Sequence, residues 1–225
     1  KVPISSLRVI TPDVGGGFGT KICVYPEYAV LLWVARQLNR PIKWISERSE
    51  AFLSDAHARD QQTQASLALD ASGKMLGLRV TGLANLGAYL STYGSYVPTV
   101  AGTGMYTGLY DLPAVHISMQ CVFTNTVPLD AYRGAGKPEA TNVLEQLVDA
   151  AAREMNLTPW ELRRRNLVTA PALPYKTALG FVFDSGAFEQ NLDRVLHQAD
   201  VRDIALRRSE AMKRGKRLGL GMCAY

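Results

Sequence analysis

The sequence predicts an α+β fold, mixed sheets with helices packed against them, and three observations predict it. Two segments repeat one order of features: a strand-like stretch, a glycine-rich loop, a lysine, and a Pro-Glu pair opening a long apolar helix. Between them, two alternating stretches flank turn residues, the pattern of an antiparallel hairpin. Beyond the second segment, helices follow with start signals of their own.

In order along the chain, Leu7-Arg8-Val9-Ile10 reads as a short strand, ended by Thr11-Pro12-Asp13 and followed by the loop Gly15-Gly16-Gly17-Phe18-Gly19. A helix is predicted over 26–40: Pro26 suits a first turn, Glu27 complements the helix dipole there, and Pro41 stops the run. Its middle is apolar nearly all round, which predicts deep burial. Residues 41–45 alternate like a strand. Strands are predicted at 64–69 and 76–81, with Asp70-Ala71-Ser72-Gly73-Lys74 turning between them. Residues 85–108, rich in Gly, Tyr, Ser and Thr, read as a long ordered loop region in which Tyr89, Tyr93 and Tyr96 are candidate pocket-lining residues.

The strand pattern resumes over 115–123 and breaks at 124–128, before the second loop, Arg133-Gly134-Ala135-Gly136-Lys137. Pro138-Glu139-Ala140 opens a helix whose Val143, Leu144, Leu147, Val148, Ala151 and Met155 share one apolar face. Thr158-Pro159-Trp160-Glu161 is a capping box starting a third helix, and Asp184-Ser185-Gly186 introduces an amphipathic helix through Phe188, Leu192, Val195 and Leu196. The expectation is a single lobe over 1–225, cut at both ends, with internal repeats at about 7–60 and 115–168.

Composition narrows the function. At 225 residues and 47% hydrophobic content the chain can bury one substantial core, yet its apolar runs fall short of the ~20 residues that span a bilayer, so no membrane segment is expected. The net charge of +5 gathers in Arg163-Arg164-Arg165 and in 202–217, where Asp203 and Glu210 interrupt it; such runs read as solvated helix faces, and with no RNP motif or zinc finger beside them no nucleic-acid partner is expected. Cys23, Cys121 and Cys223 are far apart and in apolar surroundings, which fits a reducing compartment, the cytoplasm, with the periplasm as the alternative. His57, His116 and His197 lack the spacing of a metal site.

Glycines let backbone N–H groups approach a ligand, and a helix start adds a field that favours anions. A P-loop needs Gly-Lys followed by Ser or Thr, but Thr20 separates Gly19 from Lys21 and Ile22 follows. A dinucleotide fingerprint begun at Gly15 would need glycine where Thr20 stands. The loops alone therefore leave several readings: a built site for an extended, phosphate-bearing ligand with Lys21 or Lys137 as its cationic contact, a generic anion-binding domain, a non-catalytic assembly or binding module, or two ordinary helix entries.

The segments Asp13-Val14-Gly15-Gly16-Gly17-Phe18-Gly19-Thr20-Lys21 and Asp130-Ala131-Tyr132-Arg133-Gly134-Ala135-Gly136-Lys137-Pro138-Glu139-Ala140 resemble the two cofactor loops of the xanthine dehydrogenase and aldehyde oxidase family, above all the bacterial large subunits grouped with carbon monoxide dehydrogenase. Glu47-Arg48-Ser49-Glu50 and Trp160-Glu161-Leu162-Arg163-Arg164-Arg165-Asn166-Leu167 extend the similarity over essentially the whole chain. The resemblance implies one lobe of a molybdopterin-binding subunit. Its molybdenum, carried by a pterin of dinucleotide form, hydroxylates an aldehyde or N-heteroarene with oxygen from water, while 2Fe-2S clusters and FAD lie on other domains or subunits. It further implies that Gly16, Gly17, Phe18, Gly19, Arg133 and Gly134 contact the cofactor, that the protein supplies no metal ligand, and that the general-base Glu belongs to the remaining lobe, so this chain alone is expected to be inactive. The stretch 217–225 is expected to be a strand leading toward that lobe. Two departures restrict the substrate: Ile22 replaces the Glu of xanthine-oxidising relatives, and Arg133-Gly134-Ala135 lacks the copper-binding Cys of carbon monoxide dehydrogenases.

Overall fold

The computed structural model describes residues 2–225. Its centre is a three-stranded sheet of order β1-β2-β3, formed by β1 (Gln61–Leu69), β2 (Met75–Gly87) and β3 (Val115–Phe123). The predicted hairpin forms as β1 and β2, antiparallel with Leu67 opposite Leu78, and Asp70 closes its turn by accepting from the Ser72 and Lys74 amides. β3 runs parallel to β2, pairing Val115 with Leu78 and Phe123 with Gly87. A parallel neighbour demands a long crossover. Residues 88–114 supply it, so the segment that resisted assignment from sequence is the connection between two parallel strands, folded into short helical turns at Val97–Ala101 and Thr103–Thr107.

Alternation along the strands divides the sheet into two faces. Met75, Leu78 and Val80 turn inward, whereas Gln62, Gln64, Thr81, Ser118 and Gln120 face solvent. Helix α3 (Lys137–Glu154) covers the apolar face through Leu144, Val148 and Ala152, and α4 (Pro159–Asn166) adds Leu162. Each large apolar side chain so buried contributes about 1.5–3 kcal/mol. The Thr158/Glu161 capping box starts α4 as its sequence requires. Asn166, fully buried, donates to Gly73 O and Leu162 O and accepts from the Met75 amide, which ties α4 to the hairpin turn. Helices α5 (Phe188–Gln198) and α6 (Ile204–Lys213) follow, and no helix among the described residues is long and apolar enough to cross a membrane.

Several expectations are corrected. Residues 7–10 and 41–45 join no sheet, because a strand needs a neighbour's N–H and C=O groups and none lies beside them among the described residues; Val9 is left 91% exposed and Ile45 66%. Helix α1 (Pro26–Leu38) forms but buries no residue, and Trp33 is 64% exposed. Residues 217–225 form no strand, although the Ala224 amide is held by Glu145. Arg163 is not on a solvated face: it is 1% exposed, donates to Glu145 and Asp149, and Glu145 also accepts from the Tyr110 hydroxyl at 2.6 Å. Cys23 lies beside Asp130 and not in apolar surroundings. Two elements were not foreseen, α2 (Arg48–Ser54), capped by Glu47 and Glu50, and the small hairpin of β4 (Tyr175–Lys176) with β5 (Val182–Phe183).

Removing one partner of a buried ion pair leaves the other charge uncompensated, at a cost of about 3–5 kcal/mol. Arg163→Met should therefore lower equilibrium stability in urea by about that much, and Tyr110→Phe by about 1.5–3 kcal/mol, the worth of a hydrogen bond to a charged group. Parental stability in either variant would contradict this reading of the network.

Candidate functional site

The two glycine loops meet. The Arg133 amide donates to Phe18 O at 2.8 Å, and Gly19 packs so closely on the second loop that a Cβ added to it would stand 2.3 Å from Ala131 O. Only glycine fits there, and its φ of +107° makes the same demand. The loops also share a backbone conformation. Phe18 (φ +54°) and Ala135 (φ +45°) both occupy the left-handed region, each followed by a glycine of positive φ, Gly19 and Gly136 (+88°). Gly16 leaves room for the Phe18 ring, and the Gly17 carbonyl accepts from Lys21 N and Thr20 Oγ1. Among the described residues, the amides of Gly17, Phe18, Gly19 and Gly134 donate to no protein acceptor. Phe18 and Arg133 are themselves exposed.

Beneath the junction sits Asp130, 4% exposed, whose carboxylate accepts from the Ser91 hydroxyl, the Tyr93 amide at 3.1 Å, the Ala131 amide and the Cys23 thiol at 3.5 Å. Burial alone would raise its carboxyl, but these donors overcome it and hold the group below the usual carboxylate range. The Cys23 thiol is pushed up, by burial first and by the Asp130 charge second, in keeping with its donating to the Asp130 carboxylate. A short bridge, His57 N to Pro128 O and Asp130 N to His57 O, aligns residues 57–60 along the start of the second loop. From there Arg59 reaches the carbonyls of Tyr132 (3.4 Å) and Arg133 (2.5 Å), lies 5.0 Å above the Tyr132 ring and approaches Glu139 at 3.8 Å. Glu27 and Glu139 each follow the proline that opens their helix, and each keeps one buried carboxylate oxygen without a protein partner among the described residues.

The pattern of the molybdopterin cofactor-binding domain matches residues 1–167. The chain belongs to this family. This molybdopterin cofactor-binding domain is 35% identical to the nicotine 6-hydroxylase large subunit of Paenarthrobacter nicotinovorans over 98% of its own length and 27% of that protein. It is 37% identical to the carbon monoxide dehydrogenase large chain of Hydrogenophaga pseudoflava over 88% of its length and 25% of that chain. The crystal structure of quinoline 2-oxidoreductase from Pseudomonas putida 86 superposes with a TM-score of 0.83 at 35% identity, covering 91% of this chain and 26% of that one. The domain thus spans about a quarter of the length of these relatives.

All six residues singled out from sequence in the cofactor-binding domain lie in the two loops that the structure brings together. Tyr93 joins them through its amide, whereas its ring packs edge-on against Tyr96; Lys21 and Lys137 are exposed. Arg59, Asp130, Glu139 and Ser91 were not foreseen as site residues. Asp130 opens the second motif and was visible there, but nothing local marks Arg59, whose contacts lie more than seventy positions away.

Because the folded-state Asp130 carboxyl is held below its unfolded value, its contribution is complete at neutral pH and is lost as pH falls through the lowered folded value. Asp130→Asn should cost about 1–3 kcal/mol at pH 7, by unsatisfied buried donors. The gap between parent and variant should then narrow below about pH 4, near the carboxylate's unfolded value. A gap constant from pH 7 to pH 3 would contradict this.

Proposed function

We propose that the full-length protein is a molybdenum hydroxylase and that this domain presents the two glycine loops to its cofactor. The observation that carries the reading is the Arg133 N–Phe18 O junction, which joins two loops whose Gly17, Phe18, Gly19 and Gly134 amides have no acceptor among the described residues. The residues fit the group: Gly17, Phe18, Gly19 and Gly134 offer donors and no charge of their own, and the glycines let the backbone come close. Once bound, the molybdopterin centre supplies oxidative hydroxylation with oxygen taken from water. The domain's part is to hold preorganised N–H groups where negative charge on oxygen is stabilised, which costs no reorganisation during reaction. Arg133 stands beside them as the side chain that reaches cofactor or substrate.

We assign an N-heteroarene or aldehyde as substrate, the heteroarene first, since relatives at 35% identity are named for nicotine and quinoline. Arg133-Gly134-Ala135 offers no thiolate for copper, which argues against carbon monoxide despite the 37% identity to a carbon monoxide dehydrogenase. The rest of the subunit is the partner that covers α1 and residues 7–10 and 41–45, and it holds the general base. Iron-sulfur and FAD subunits receive the electrons, and the pterin is of dinucleotide form. The three free cysteines suit the cytoplasm. The common left-handed conformation at Phe18 and Ala135 supports an ancient duplication of the loop-helix unit within a single lobe.

The test is turnover of quinoline or nicotine by the full-length protein with its partners, a dye acceptor and isotopically labelled water. Label from water should enter the product, and label from dioxygen instead would overturn the reading. Gly19→Ala forces the loops apart and should lower kcat by about 10- to 100-fold. Gly219→Ala, whose added Cβ meets nothing within 4 Å, should match the parent.

A further inference from the structure

We propose that Arg59 is a positioning residue that aims the Gly134 amide toward the junction of the two loops. In a trans peptide the C=O of one residue and the N–H of the next point in opposite directions within one plane. The Tyr132–Arg133 and Arg133–Gly134 peptides are both trans. Arg59 Nη2 donates to Tyr132 O and to Arg133 O, so it holds both planes by their carbonyl edges. Their amide edges must then point away from Arg59. One of them, Arg133 N–H, is seen to do so, ending on Phe18 O of the first loop. The other is Gly134 N–H, which has no protein acceptor among the described residues and is left for a ligand. A cation on a carbonyl also polarises its peptide and makes the attached N–H a stronger donor.

Arg59 is itself over-determined. It sits at φ +64°, a conformation costly for a side-chain-bearing residue and kept only where neighbours enforce it. The His57 bridge fixes the backbone before it, and the Asn85 amide donates to Asp60 O just after it. Its guanidinium lies over the Tyr132 ring and faces Glu139, whose side chain is only 13% exposed in the first turn of α3. Planarity allows one group to serve two carbonyls, a ring face and a carboxylate together, which a lysine ammonium does not reproduce.

The consequence for turnover rests on the proposed cofactor role of the loops, so the test reads the clamp and that role separately. In the full-length, molybdenum-loaded protein, Arg59→Met, Arg59→Lys and Glu139→Gln are compared with the parent by hydrogen exchange, by the molybdenum(V) paramagnetic resonance spectrum, and by kcat and KM. The Arg133 amide should exchange about 10-fold faster in Arg59→Met, the equivalent of one lost hydrogen bond. Arg59→Lys, which keeps the charge and guards against failure to fold, should not restore it, and Glu139→Gln should give a smaller increase. The spectrum should shift at equal metal content, and kcat should fall with KM little changed. Parental exchange in both Arg59 variants overturns the proposal. Faster exchange with parental spectrum and kcat supports the clamp and overturns the cofactor role of this loop.

Discussion

One hydrogen bond, from the Arg133 amide to the Phe18 carbonyl, makes two separate loops into one surface. It forms only because Gly19 lets the backbone of residues 131–132 approach to a distance at which any Cβ would collide. Steric permission and polar attraction thus act at the same point. The hydrogen bond sets direction, the glycine sets distance, and the amides on either side that have no acceptor among the described residues inherit a fixed geometry from both. A ligand that requires several neutral donors meets them already arranged, without the reorganisation that mobile side chains would demand.

The rest of the molecule reads as support for that junction. The parallel pairing of β2 with β3 delivers the chain to residue 124, and the His57 bridge and Asp130 fix where it turns. Asp130 is buried beneath the loops and draws donors from two distant stretches, Cys23 after the first loop and Ser91 with Tyr93 in the crossover, as well as from the adjacent Ala131 amide, so that the three segments share one anion. Behind it, α3 carries Glu145, which meets Tyr110, Arg163 and the Ala224 amide. A hydrophobic core alone would leave α3 free to slide along its axis. Directional bonds to a buried carboxylate remove that freedom, and with it any drift of the loop that α3 terminates.

Much of this was legible in sequence where the cause is local. The Thr158/Glu161 box, the Asp70 turn and the apolar face of α3 depend on residues a few positions apart, and each formed where its pattern required. Elements that depend on distant partners were not legible. Residues 7–10 have the alternation of a strand, yet pattern does not supply a neighbour. The apolar girth of α1 expresses a need for cover that the described residues do not meet. Arg163 looks like part of a basic run until Glu145 and Asp149 are known to face it. The loops themselves were recognisable as motifs because their glycines answer a local conformational demand, but Arg59 was invisible, since an arginine acquires a role only from the carbonyls that the fold brings to it.

The proposed role of the loops turns on where a molybdenum centre would sit relative to these amides. A crystal structure of the full-length, molybdenum-loaded protein tests it most directly. The account predicts amides of both loops, Gly134 among them, within about 2.7–3.2 Å of acceptor atoms of the molybdenum centre or its pterin, the range of a true hydrogen bond. A centre seated away from the Phe18–Arg133 junction, with those amides facing only solvent, would contradict it.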